Sequence, residues 1–293
     1  MAGNLPFDYE RAFSSNQGLF TPAEQNILRR STVAIPGMGG VGGAHLLTLT
    51  RLGVGNFTIA DADVFELHNL NRQAGATVQT LGRRKVEVMA EMARAINPEV
   101  SIRIFSEQIQ ESNIDTFLAG CDAVVDGLDF FRIDARRLLF RRARELGLFV
   151  ITSGPLGFGA ATLIFSPQGP SFDEFTAIKD PMPTLEQLAR FAVALAPAGL
   201  HLPYLNPSSV SFKEGRGPSS MIGVNACAAV AAAEVFNLLL KRGPPWAVPR
   251  YAQFDPYRHG YRKGILRGGN RHPLQRLKLW VVKRKLRNDF SPS

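Results

Sequence analysis

Gly37-Met38-Gly39-Gly40-Val41-Gly42 fits G-x-G-x-x-G between an apolar β-branched run and an apolar helical one. In that context, backbone N–H groups and a helix N-terminus hold a phosphate, and glycine lets the phosphate oxygens approach the chain. Asp61 closes the next β-like run, where a carboxylate accepts ribose hydroxyls. A dinucleotide and a mononucleotide both satisfy these features. The following segment separates them: His68-Asn69-Leu70-Asn71-Arg72-Gln73, then Lys85 thirteen residues after Arg72, sets two permanent cations and an amide beside the turn. A nicotinamide dinucleotide has no need of that cluster. A triphosphate does, because about four negative charges require donors, most of all where charge builds on departing pyrophosphate. Further on, Asp126-Gly127-Leu128-Asp129 ends another strand. Either carboxylate can hold Mg²⁺ at the C-terminal edge of a sheet, where open α/β folds bind ligands.

The elements that position these groups are legible in the apolar pattern. Strands are expected at Ser31 to Pro36, Asn56 to Ala60, Val100 to Phe105, Ala123 to Asp126, Phe149 to Thr152 and Ala160 to Phe165, with a last edge strand at Tyr251 to Asp255. Helices are expected through Leu52, from about Gly82 to Ile96, around Asn113 to Ala119 and from Ile133 to Leu146. In the second of these, Val86, Met89, Ala90 and Ala93 fall on one stripe. This alternation specifies an α/β, Rossmann-like, mostly parallel sheet with helices on both faces. From Ser166 to Ser220 the pattern breaks into a Pro-, Gly- and Ser-rich crossover with a short helix at Thr184 to Ala196, read as lying over the site. The apolar stretch Met221 to Leu240, interrupted by Asn225, Glu234 and Asn237, reads as a buried helix rather than a bilayer span. Residues 1–255 are taken as one domain and 256–293 as a basic tail.

GMGGVG, DADVFELHNLNRQ, GRRKVEVMAE, AINPE and VVDGLD resemble the ThiF/MoeB/HesA family of adenylating domains, related to ubiquitin-activating enzymes, over roughly Tyr9 to Pro167. NLNRQ with its spaced lysine is more specific than the glycines. The resemblance implies ATP and Mg²⁺ as ligands and transfer of AMP to a carboxylate, usually the C-terminal glycine of a small ubiquitin-like carrier, with a modified peptide and a tRNA-bound carboxylate also open as acceptors. It implies Gly37, Gly39, Gly40 and Gly42 near the phosphates, Asp61 on the ribose, and Asn69, Arg72, Gln73 and Lys85 on the phosphates. It also implies Asp129 as the Mg²⁺ carboxylate, and Arg11 as an N-terminal arginine that reaches a neighbouring subunit's site in a homodimer. INPE, the KVEVMAE helix and the NRQ context are similar to the tRNA threonylcarbamoyladenosine dehydratase branch as well. Two departures stand out: Phe130 follows Asp129 where the family usually has Asn, and the paired CxxC motifs are absent, so no structural zinc is expected. The crossover has no Cys, which argues against a thioester or persulfide relay.

The 293 residues carry 34 Lys plus Arg, 25 Asp plus Glu and 45% apolar side chains, a globular composition. Two cysteines, Cys121 and Cys227, make no disulfide framework, and both read as core thiols. With no signal-peptide pattern at the start, a reducing, cytoplasmic setting is expected. The net charge of +9 is concentrated: Lys241 to Ser293 holds 14 basic and two acidic residues, leaving the remainder at −3. Such a tail suits nucleic acid or a membrane surface, and HPLQRLKLWVVKRKLRN fits either a helix or a strand. Two other functions share the glycine turn. A nicotinamide-dependent oxidoreductase leaves Arg72, Lys85 and Asp129 without a task, and a non-catalytic nucleotide-binding module would use the tail for recruitment.

Overall fold

The computed structural model describes residues 6–285, Arg216 excepted. In chain order the elements are α1 (Tyr9–Ala12), α2 (Pro22–Arg30), β1 (Thr32–Pro36), α3 (Gly40–Arg51), β2 (Asn56–Ala60), α4 (Lys85–Ile96), β3 (Ser101–Phe105), α5 (Ile114–Leu118) and β4 (Ala123–Asp126). They continue with α6 (Ile133–Glu145), β5 (Val150–Leu156), β6 (Gly159–Phe165), α7 (Phe172–Thr176), α8 (Thr184–Leu195), α9 (Met221–Leu239), β7 (Arg250–Asp255), β8 (Gly260–Ile265) and α10 (Pro273–Lys285). One sheet has the order β3-β2-β1-β4-β5-β6-β7-β8. Its first five strands are parallel and the last three antiparallel. The order reverses between β1 and β4, which opens a crevice at the C-terminal ends of those strands.

Apolar side chains fill both faces. Val86, Met89, Ala90 and Ala93 of α4 are fully buried with Leu46 and Leu49 of α3 and Val235 of α9. Leu139, Phe140, Phe172, Phe191 and Leu195 pack on the other face. Helix α4 starts at Lys85 rather than near Gly82, because Gly82 has φ +80° and Arg84 is extended. Helix α9 is long and apolar enough to cross a bilayer, but it lies along α3, β5 and β6 with half its length buried.

Three segments differ from the sequence expectation. The first half of the crossover is core rather than cover: a capping box at Ser171 and Glu174 starts α7, and α8 buries Leu188, Phe191 and Leu195. Phenylalanines spaced among Pro and Gly carry that packing without a helical or alternating period. The hairpin β7–β8 runs through residue 255, so β8 and not β7 is the edge strand; the solvent-facing YRKGI of β8 has too little apolar alternation to be read as a strand. The tail from 256 is built into the body as far as α10, a helix that packs on α8 through Gln275, Leu279 and Val282. Its last eight residues lie outside the described residues.

Candidate active site

The glycine turn joins β1 to α3 at the sheet's switch point. Its close packing explains two of the glycines. A Cβ at Gly42 would overlap the Gly37 carbonyl oxygen and lie 2.8 Å from its carbon; one at Gly37, where φ is +90°, would overlap the Gly127 carbonyl oxygen. Gly127 is therefore a third member of the turn, on the adjacent strand end, and sequence reading gave it no role. Gly39 has open space instead, with only Gln73 Nε2 within 4 Å of its Cβ position, at 3.8 Å. First-turn N–H groups of α3 lack a carbonyl one turn back and are left to donate to a ligand.

Asp61 braces the turn. Its Oδ2 accepts from the Met38 N–H at 2.7 Å and its Oδ1 from the Asp63 N–H at 2.8 Å. Burial pushes its carboxyl above the usual value, opposed by these two bonds and by Lys85. Each oxygen retains a second acceptor direction for a ribose hydroxyl. Lys85, the first residue of α4, is buried with Nζ 3.1 Å from Asp63 Oδ2.

The loop between β2 and α4 folds around Asn69, which is 2% exposed. Its Oδ1 accepts from the Glu66 N–H, and its backbone carbonyl accepts from the N–H groups of Arg72 and Gln73. Arg72 is thereby held against the turn, its carbonyl 3.2 Å from the Cβ position of Gly40, with Nη1 donating to His68 O and Asn71 Oδ1. Gln73 is buried, and among the described residues its Oε1 has no hydrogen-bond partner. Asn71 Nδ2 donates to Ser219 O, so the second half of the crossover does end beside the site.

The two strand-end carboxylates separate cleanly. Asp126 is buried and pairs with Arg136 Nε at 2.7 Å, and it also accepts from Thr152 Oγ1 and the Leu128 N–H. Arg136 donates in turn to the carbonyls of Leu128, Asp129 and Phe130, clamping the turn that carries Asp129. Asp129 uses Oδ1 on the Phe131 N–H, and among the described residues its Oδ2 has no partner. That free oxygen at the sheet edge fits a hard divalent cation. Arg136 carries no sequence signal of this task, because a helical arginine reads as solvated until the fold brings it to Asp126. Phe130 stacks on Phe191 with ring centroids 5.3 Å apart and meets Phe131 and Phe212, which fastens the crossover to this turn.

Arg11 is not brought to these groups. Tyr9 Oη donates to the Gly53 carbonyl, which sets α1 behind the C-terminal end of α3, roughly 18 Å of helix from the glycine turn. The two cysteines are buried, and burial raises both thiols, Cys227 to about 12. Among the described residues no three His, Cys, Asp or Glu side chains converge on a common point.

A model of the ThiF family matches residues 13–274. The chain belongs to the ThiF family. Its sheet has the Rossmann-like order of that family. It is 34% identical over 151 residues to the tRNA threonylcarbamoyladenosine dehydratase of Haemophilus influenzae, covering 51% of this chain and 57% of that one. It is 32% identical over 151 residues to the SAMP-activating enzyme E1 of Haloferax volcanii, covering 52% and 55%. The chain thus spans just over half the length of these curated relatives. The structure of Escherichia coli tRNA N6-threonylcarbamoyladenosine dehydratase in complex with ATP superposes with a TM-score of 0.60 at 20% identity, over 80% of this chain and 95% of that one, a likeness of fold.

Proposed function

We propose that the chain binds ATP at the glycine turn and transfers AMP to a carboxylate, and that this carboxylate is borne on tRNA, as in a threonylcarbamoyladenosine dehydratase. The observation that carries the reading is one strand-end neighbourhood: Gln73 at the open side of Gly39, Arg72 packed against Gly40, buried Lys85 paired with Asp63 beside Asp61, and Asp129 just past the end of β4, next to β1. The ATP-bound dehydratase of similar fold supports the nucleotide. A carboxylate oxygen attacks the α-phosphorus, the bond to the bridging oxygen breaks, and pyrophosphate leaves. First-turn N–H groups, Arg72 and Lys85 hold the charge that builds on it. Asp129 would hold Mg²⁺, which neutralises phosphate charge when bound. An internal nucleophile of the acceptor then closes a ring and expels AMP, a step that uses no enzyme thiol.

That last property favours the dehydratase reading over a carrier-activating one. Likeness to the SAMP-activating enzyme E1 supports AMP transfer to a carrier protein's C-terminal carboxylate. The residues from 166 to 220 contain no Cys, and the buried Cys121 and Cys227 are poor nucleophiles for a thioester step. The test is AMP release from ATP in the presence of tRNA carrying N6-threonylcarbamoyladenosine, of the same tRNA with its carboxylate esterified, and of a carrier ending in Gly-Gly. Release with the first alone is expected. Adenylation of the carrier alone assigns the second reading, and ATP binding without turnover on any acceptor leaves a binding module. Arg11 is proposed to serve the neighbouring subunit of a homodimer, whose formation light scattering would register.

A further inference from the structure

Helix α10 has two apolar sides, and the body covers one of them. Gln275 and Leu279 are buried on α8, and Val282 packs beside them. Gln275 Nε2 donates to Val193 O at 2.9 Å and Lys278 Nζ to Pro197 O at 2.6 Å. Leu274, Leu277 and Trp280, at i, i+3 and i+6, are 59%, 57% and 56% exposed. At 100° per residue these three face away from the body, with Arg276 and Lys283 along one border and Lys285 along the other. The Arg284 guanidinium lies 5.3 Å over the Trp280 ring.

One border opens on a cavity of about 480 Å³ between α8, α10 and the 269–271 turn, lined among others by Glu186, Arg190, Arg271, Arg276, Trp280 and Lys283. Four cations there face a single carboxylate. Glu186 pairs with both Arg190 and Lys283, and among the described residues no carboxylate lies within ion-pair distance of Arg271 or Arg276.

We infer that this face docks the protein on an anionic phospholipid surface, with a lipid phosphate entering the cavity at Arg271 and Arg276 while Leu274, Leu277 and Trp280 enter the interfacial layer. The layout selects this partner. Cations rim an apolar centre, as in an interfacial helix, whereas a face that tracks a nucleic-acid backbone carries its cations where the phosphates run. The stripe stands on the convex outer side of the helix, which suits a deformable surface. An indole at the border of apolar and charged groups matches the headgroup level. Three shallow side chains alone give weak attachment, so the phosphate contacts are needed as well.

The experiment is co-sedimentation of the full chain with vesicles of phosphatidylcholine and with vesicles in which part of it is replaced by phosphatidylglycerol. Binding is expected to the anionic vesicles alone, weakening as salt rises. Replacing Arg271 and Arg276 together by Gln should lower the partition coefficient by roughly 25-fold, about fivefold per cation. Replacing Leu277 and Trp280 together by Ser should lower it at least tenfold. The melting temperature of both variants should match that of the parent, since the four side chains face solvent or the cavity. Equal or no partition onto the two vesicle types overturns the inference. So does binding of tRNA, in place of vesicles, that the Arg271 and Arg276 changes abolish and the Leu277 and Trp280 changes leave intact. Binding of inorganic phosphate without vesicle binding reduces the cavity to a small-anion site and overturns it too.

Discussion

Gly42 and Gly39 sit three residues apart in one turn, yet adding the same methyl group to each should produce opposite phenotypes. At Gly42 the new Cβ lies 2.8 Å from the Gly37 carbonyl carbon and overlaps the oxygen, and both belong to backbone. Relief to an ordinary contact of about 3.5 Å needs a shift of at least about 0.7 Å. Gly37 has no room to yield, because it presses on Gly127 in turn. Overpacking of this kind costs about 1–3 kcal/mol, which lowers Tm by roughly 2–12 °C in a chain of this size. It also moves the start of α3, and misplacement approaching 1 Å at a reacting phosphate costs on the order of 100-fold in turnover. At Gly39 the Cβ meets only Gln73 Nε2, at 3.8 Å, so no backbone atom has to move to admit it. Gly39→Ala should therefore cost less stability than Gly42→Ala, no more than about 1 kcal/mol. Its methyl group stands on the open side of the turn, so ATP affinity should fall by at least tenfold. Thermal melting and ATP titration of Gly42→Ala and Gly39→Ala read both quantities. A Gly42→Ala protein as stable as the parent refutes the packing argument, and normal ATP binding by Gly39→Ala refutes the placement of the phosphates.

The two strand-end aspartates should separate in the same way. Asp126→Asn or Arg136→Leu breaks a buried ion pair and should destabilise by about 3–5 kcal/mol in denaturant unfolding, while Asp129→Asn should leave unfolding unchanged and cut AMP transfer by at least about 100-fold. His45, buried on α3 with both ring nitrogens unpaired among the described residues, is held neutral by burial, its pKa lowered to about 4. The unfolded chain takes up that proton first as pH falls, so stability is complete above about pH 6.5 and declines toward pH 4 by roughly 3 kcal/mol. In His45→Leu this loss should disappear from the stability profile; an unchanged profile would contradict the assignment. Burial that raises the Cys227 thiol to about 12 should also keep it unalkylated by iodoacetamide in the native state, and mass spectrometry would expose any modification.

The parallel half of the sheet was legible because its strands are short apolar runs bounded by Gly and Asp. The stripe Val86, Met89, Ala90 and Ala93 likewise marked the buried side of α4. Legibility failed where packing rather than periodicity decides. Phe172, Phe175 and Phe191 make the crossover part of the core, but they stand in a segment whose Pro and Gly content reads as loop. The hairpin β7–β8 has solvent on much of its surface and so lacks the alternation of a half-buried sheet. Within the site, residue types that accept or donate to phosphate announced themselves, whereas the groups that aim them did not. Arg136 looks like any helical arginine until the fold brings it to Asp126, and Gly127 acquires its task only when β4 lies beside β1. Asp61 has the strand-end position of a ribose-facing carboxylate, and the fold adds a second duty on the Met38 N–H that no sequence spacing contains.

The glycine turn, Arg72, Lys85 and Asp129 are proposed to form a triphosphate site. Calorimetric titration of the purified chain with ATP plus Mg²⁺, and separately with NAD and NADP, tests it without knowledge of the acceptor. Mg²⁺-dependent binding of ATP is expected, lost in Arg72→Ala, with no comparable heat from either dinucleotide. Binding of NAD or NADP with none of ATP, or ATP binding indifferent to Arg72, would contradict it.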